Sequence, residues 1–109
     1  MSSLDAVVGA IASEPRRRVV EHLADGPATV SALAEVLGMS VPGTMRHVDR
    51  LAEAGIVLRT KAGRVVTVEL VPGSLDPLAT WALQHRLFWG NHLDRLAGHL
   101  AGPTDRSEP

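Results

Sequence analysis

The sequence predicts a mainly α fold with a small β-hairpin, an α+β domain, on three observations. Five segments place apolar residues at helical spacing; hydroxyl residues or turn formers precede them and glycines follow several of them; and two β-like runs stand between the fourth segment and the fifth. At 109 residues the chain is one small domain with a modest core. That domain is expected over residues 1–100, with 101–109 as a disordered tail.

The first helix is expected over Leu4–Ala12, with apolar residues at 4, 7, 8 and 11 and Asp5 favourable in its first turn. Ser13 caps a second helix that runs to about Ala24, buries Val19, Val20 and Leu23, and tolerates Pro15 in its first turn. Arg16, Arg17 and Arg18 are consecutive, so they fan around this helix and read as solvated arginines with one ion pair, or with one phosphate contact. Asp25-Gly26-Pro27 is a turn. Thr29 caps a short helix with Val30, Leu33, Ala34 and Leu37 inward, and Gly38 ends it. Ser40 caps the next helix, Pro42 falls in its first turn where no intrahelical N–H is lost, and Gly55 stops it after Ala54. Helix, short turn with glycine, helix is the helix-turn-helix pattern.

Runs at 56–61 and 64–71 follow as strands, joined by Ala62-Gly63 as a two-residue turn. Val66, Val68 and Leu70 alternate with Val65, Thr67 and Glu69, and the cations Arg59, Lys61 and Arg64 stand at the tip, as in the wing of a winged helix-turn-helix. Pro72-Gly73-Ser74 breaks the strand. A last helix is expected from about Leu75 to Leu100 with two apolar stripes, one holding Leu78, Trp81, His85, Phe88 and His92, the other Ala82, Trp89, Leu93, Leu96 and Leu100. A helix apolar on two faces must be covered on two sides, and so small a domain covers one, so a second copy of the chain is expected on the other.

Composition excludes several functions. With no cysteine, disulfides, thiolate metal sites and thiol redox sensing are out. No apolar run reaches about 18 residues, so no membrane span or membrane partner is expected, and the N-terminus lacks the pattern of a signal peptide; the cytoplasm is the expected compartment. No phosphate-cradling glycine loop, HExxH or Ser-His-Asp context is present, so no enzyme and no cofactor are expected. His85, His92 and His99 recur every seven residues, but seven residues rise about 10.5 Å. Two of them in one helix cannot share an ion bound at about 2.0–2.1 Å. No metal site is expected; the histidines read as interface or partly exposed groups able to respond to pH.

The net charge of −1 hides a segregation. Residues 1–39 carry three arginines against five acids, residues 40–64 five cations against two acids, and residues 65–109 three arginines against five acids. Positive charge gathers where a phosphate-facing surface needs it. On the wheel of the fourth helix, Thr44, Val48 and Leu51 face the body, while Pro42, Arg46, Asp49 and Glu53 face away with Gly43 and Arg50 alongside. A helix entering the DNA major groove uses such an end: small at its start, free of acid, and armed with a guanidinium that forks onto guanine O6 and N7. The expected DNA-binding residues are Ser40, Val41, Pro42, Gly43, Met45, Arg46, His47, Arg50, Lys61 and Arg64, with double-stranded DNA as partner. His47 reads equally as a phosphate contact or a packing residue; Asp49 as a clamp on Arg46 or Arg50, or as an acceptor from cytosine N4.

These residues resemble a known family. The run EPRRRVVEHLADGPATVSALAEVLGMSVPGTMRHVDRLAEAGIV, followed by RTKAGRVVTVEL, is similar to the ArsR-type winged-helix repressors over roughly residues 4–100. The motifs are PRRR at the second helix, the SxPxxxxH run Ser40–His47 and LxxAGIV at Leu51–Val57. WALQHRLFWGNHLDRLAGHL resembles the branch that lacks metal sites. The resemblance implies a homodimeric repressor on a pseudo-palindromic operator, dimerising through its first and last helices. Its interface would hold Leu4, Val8, Trp81, His85, Phe88, Trp89, His92 and Leu96. Val41, Met45 and Asp49 depart from the family's usual polar, basic or neutral residues, so base readout is expected to be sparse and to lean on DNA shape. The alternatives are a winged-helix protein-interaction module without DNA, and a metal- or ligand-responsive switch using the last helix; an effector is not readable from the sequence.

Overall fold

The computed structural model of the chain describes residues 3–85. Its elements in order are α1 (Leu4–Ile11), α2 (Glu14–Leu23), β1 (Ala28–Thr29), α3 (Val30–Leu37), α4 (Val41–Glu53), β2 (Val57–Ala62), β3 (Val65–Leu70) and α5 (Asp76–Gln84). The chain forms two compact units, Met1–Leu78 and Ala79–Pro109. The expected last helix begins where predicted, but its continuation to Leu100, with Phe88, Trp89, His92 and Leu96, lies outside the described residues, as does the tail at 101–109.

Hydroxyl caps start four of the helices. Ser3 Oγ accepts from the Ala6 N–H at 3.1 Å, Thr29 Oγ1 from Ala32 at 3.1 Å and Ser40 Oγ from Gly43 at 3.1 Å; Ser13 makes the equivalent contact to Arg16 at 3.5 Å. Each satisfies an amide that the helix itself leaves orphaned, and such a cap contributes about 1 kcal/mol. Gly38 takes φ 66°, which lets Met39 N–H reach back to the Ala34 carbonyl at 3.0 Å and turns the chain sharply from α3 into α4. The end of α4 repeats this closure, with Ile56 N–H donating to the Leu51 carbonyl at 2.9 Å.

One core joins these elements: Val7 and Ala10 of α1, Val19 and Leu23 of α2, Val30 and Leu33 of α3, Val48 and Leu51 of α4, and Ile56, Val57 and Val68 around the sheet. The alternation expected for β3 holds at Val68, which is fully buried, and at Val65 and Glu69, which are exposed, while Thr67 of the outer row is half-buried like Val66 and Leu70, because it pairs with a strand on each side.

The sheet departs from expectation in two ways. It has three antiparallel strands in the order β1-β3-β2, not a bare hairpin. The extra strand is the pair Ala28 and Thr29, which face Val68 and Thr67; Thr29 closes the strand and caps α3 at once, and a two-residue strand leaves no periodicity to read. The hairpin turn also sits one residue later than Ala62-Gly63. Ala62 pairs with Val65, so Gly63 and Arg64 form the loop, and Gly63 takes φ 64° at its first position, where a side chain is strained. Arg64 is thereby the tip of the wing itself.

Thr44 is fully buried in α4, and its Oγ1 has no hydrogen-bond partner among the described residues. A buried hydroxyl without a partner carries an uncompensated desolvation cost of about 1–3 kcal/mol. Thr44→Val keeps the shape and removes the cost, so it is expected to raise the urea midpoint by the equivalent of about 1 kcal/mol; a loss of stability would show that the hydroxyl is satisfied in solution.

Candidate nucleic-acid interface

The interface is built on α4. Core packing by Thr44, Val48 and Leu51 fixes which face turns outward. On that outward face Pro42, Arg46 and Arg50 are exposed; exposed Val41 and half-buried Met45 lie on the flank toward the wing, and half-buried His47 on the other. The side chains of Arg46, Arg50, Lys61 and Arg64 make no hydrogen bond or ion pair among the described residues, so four cations from α4 and the wing remain available. Ser40 Oγ uses its lone pair on the Gly43 amide, which leaves its own proton to donate outward.

Gly43 is in place for a different reason from the one expected. It is buried, and a Cβ added there would lie 3.1 Å from Ser40 Oγ and 3.5 Å from Met39 Cε. Its missing side chain makes room for the cap that starts α4, and the bare start of the outward face comes from Pro42. Asp49 also corrects expectation: its carboxylate pairs with Arg59 of β2, not with Arg46 or Arg50. One turn of α4 and the adjacent wing strand are thereby pinned together, and the carboxylate of Asp49 is neutralised by the wing's own cation. Both side chains are about two-fifths exposed, so solvent screens the pair and it contributes at most about 1 kcal/mol of stability.

Of the three arginines in the first turns of α2, Arg17 and Arg18 are exposed as expected and Arg16 is half-buried, but all three are engaged by backbone carbonyls of other elements rather than by an ion pair. Arg16 donates to the carbonyls of Ala10 and Gly9, Arg17 donates to Ile11 O at 2.9 Å, and Arg18 donates to Val36 O at 2.6 Å. These carbonyls lie in the last turns of α1 and α3, which are left orphaned by the helix and carry its negative end. Neither helix has a basic residue of its own in its last turn, so the run on α2 supplies the cations for both. That lack was the sequence signal; the consecutive spacing hid it, because the partners are on other elements.

Arg16 reaches α4 as well, its Nη1 lying 3.5 Å from His47 Nδ1. A guanidinium only donates, so Nδ1 can accept from it only when that nitrogen carries no proton, and the contact favours the neutral imidazole. Burial, then Arg16, then Arg46 hold the His47 pKa below the ordinary histidine value of 6.5. His47 therefore packs against α2, and the sign of its pH effect follows. Between pH 6.5 and the lowered folded value the unfolded chain binds more protons, so stability falls as pH falls through that window. His47→Gln is expected to lose less stability than wild type over the same acid titration, read from paired denaturation curves; parallel curves would remove His47 as the cause.

Between α3, α4 and the wing lies an open groove of about 410 Å³, lined among others by Val30 and Ser31, by Val41 and Met45, and by Arg64 and Val65. Sequence reasoning placed Val41, Met45 and Arg64 in the interface but missed Ser31 and Val65, which no helix-wheel argument about α4 alone could bring beside it. Among the expected dimer contacts, Leu4 is half-buried, while Val8, Trp81 and His85 are exposed. His85 Nδ1 donates to the Trp81 carbonyl at 2.8 Å, and the two rings lie 4.7 Å apart. None of the described residues of α5 is fully buried.

Comparison with known proteins decides the family. Residues 11–60 match the model of a helix-turn-helix domain. The transcriptional regulator Rv2034 of Mycobacterium tuberculosis, a helix-turn-helix type, is 37% identical over 78 residues, spanning 72% of this chain and 73% of the relative. An ArsR family transcriptional regulator of known crystal structure superposes with a TM-score of 0.73 at 31% identity, covering 83% of this chain and 97% of the other. The chain belongs to the ArsR family of winged helix-turn-helix transcriptional regulators. As an ArsR-family chain it carries a DNA-binding helix-turn-helix, α3–α4, and a wing, β2–β3. At the level of fold it also matches the homodimeric winged helix-turn-helix domain Mb0332 of Mycobacterium bovis, with a TM-score of 0.60, 24% identity, and coverage of 84% and 85% of the two chains. Members of this family are transcriptional regulators rather than enzymes. Among the described residues no helix is long and apolar enough to cross a membrane.

Proposed function

We propose that this ArsR-family chain is a cytoplasmic, homodimeric transcriptional repressor that lays α4 of each protomer into the major groove of a pseudo-palindromic operator. The observation that carries this reading is the outward face of α4, where Arg46 is exposed, with Arg50, Lys61 and Arg64 around it, all four unpaired among the described residues. Arg46 reads a guanine through O6 and N7; Ser40, Arg50, Lys61 and Arg64 hold phosphates and set the register. No cofactor and no catalytic step are involved.

Dimerisation through α1 and the last helix is supported by exposed apolar surface on both. Val8 of α1 is 43% exposed, Trp81 of α5 is 40% exposed, and α5 buries none of its described residues. Burying such surface against a second copy is favourable at about 25 cal/mol per Å². The homodimeric Mycobacterium bovis neighbour has the same fold. Residues 1–100 are the DNA-binding and dimerisation domain on this reading.

The test is a gel shift of the full chain on the DNA upstream of its own gene, repeated across a salt series. Binding is expected to weaken steeply as salt rises, because the cations displace condensed counterions from phosphates. Absence of any salt-sensitive shift would overturn the reading in favour of a protein-interaction module.

A further inference from the structure

We propose that the groove between α4 and the wing receives a thymine-bearing DNA strand, with the thymine 5-methyl packed against Val41 and Met45 and that strand's phosphate held by Arg64. The proposal rests on the DNA-reading function above and assigns part of its sequence preference.

Position on α4 is the first argument. Val41 and Met45 are four residues apart and so lie one above the other along the flank of the helix that faces the wing. Pro42 and Arg46, also four apart, form the adjoining row on the outward face. With Arg46 over the centre of a base pair, the Val41 row meets the margin of the major groove, beside a sugar–phosphate strand. The thymine methyl projects at that margin, and it is the one apolar group that the four bases offer in the major groove. A pair of apolar side chains on the flank therefore discriminates thymine from the three bases that lack a methyl there.

Exposure is the second argument. Val41 is 48% exposed and Val65 is 51% exposed, and both face the same groove from opposite walls. Two bare β-branched side chains facing each other across one groove present an apolar surface whose cover is favourable.

Charge selects the occupant. Arg64 stands at the rim with its guanidinium unpaired among the described residues, the Ser31 hydroxyl is on the opposite wall, and no carboxylate lines the groove. A deoxyribose–thymine face flanked by a phosphate complements apolar walls with a cationic rim. A small apolar ligand or an apolar peptide segment would leave Arg64 without a partner.

The experiment uses the full-length chain and the upstream duplex it protects, with each thymine replaced in turn by deoxyuridine, which removes the methyl alone. One thymine per half-site is expected to matter. Its replacement should weaken binding about 4-fold, and replacement of the symmetric pair about 15-fold, the effect of losing one and two buried methyl groups. Val41→Ala, at an exposed position that leaves the core intact, should bind more weakly and respond much less to deoxyuridine at that same position. Tight, salt-sensitive binding that ignores every deoxyuridine overturns the proposal and leaves the DNA-reading function standing. A deoxyuridine effect that Val41→Ala does not blunt also overturns it, by assigning the methyl to another side chain. Failure to bind the unmodified duplex overturns both.

Discussion

Leu51→Ala is expected to destabilise the fold by about 2–5 kcal/mol, the usual cost of removing a buried leucine when the cavity closes only in part. Leu51 is fully buried, and it serves α4 twice. Its side chain belongs to the core shared by α1, α2, α3 and the sheet, and its carbonyl accepts the Ile56 N–H that closes the helix and turns the chain into β2. A small domain holds only about 5–15 kcal/mol in total, so this one substitution consumes a large share of it. Urea unfolding followed by circular dichroism reads the effect directly. A shift equivalent to less than about 1 kcal/mol would mean that Leu51 is not the anchor of α4, and that the outward face of the helix is set by something else.

Arg46→Ala should leave that stability almost unchanged, since Arg46 is exposed and its guanidinium is unpaired among the described residues. Its cost falls on DNA. Losing a bidentate contact to guanine is expected to weaken operator binding by about 1–3 kcal/mol, roughly 5- to 160-fold, and to relax preference at one base pair per half-site. A phosphate-contacting cation behaves differently: Lys61→Ala would weaken binding to all sequences alike and lower the salt slope by about one. Equilibrium titration of both variants on operator and scrambled duplexes separates the two roles. Equal losses on both duplexes for Arg46→Ala would make it a phosphate contact and leave base reading to other side chains.

Much of this architecture was legible in the sequence because its signals are local. Ser13, Thr29 and Ser40 each cap the helix that follows, Gly38 and Gly55 end the helices that precede them, and the rows Thr44, Val48, Leu51 and Val66, Val68, Leu70 face the body as their periods of about four and two require. What escaped depends on partners far away in the chain. Asp49 looked like an i+3 or i−1 neighbour of cations on its own helix, yet β2 passes close enough for Arg59 to take it. Arg16, Arg17 and Arg18 looked dispersed around α2, yet the ends of α1 and α3 converge on them. Gly43 looked like an opening for DNA and is closed over by the Ser40 cap. β1 went unseen because two residues carry no period, and its pairing with Val68 and Thr67 is a property of the sheet, not of Ala28 and Thr29.

The consequence for function is a reading face organised from behind. The core sets the rotation of α4, the Asp49–Arg59 pair ties its middle to the wing, and Arg16 ties His47 on its rear flank to the end of α1. Four cations stay unpaired among the described residues around the outward face, and the apolar flank of Val41 and Met45 completes it.

The most direct test of the central claim is a footprint of the purified full-length protein on the DNA upstream of its gene. Two α4 helices related by a two-fold axis should protect two half-sites of inverted sequence, centred about one helical turn (roughly 10 base pairs) or a multiple of it apart, with protection lost in Arg46→Ala. Protection of a single unpaired site, or none that depends on Arg46, would contradict the account.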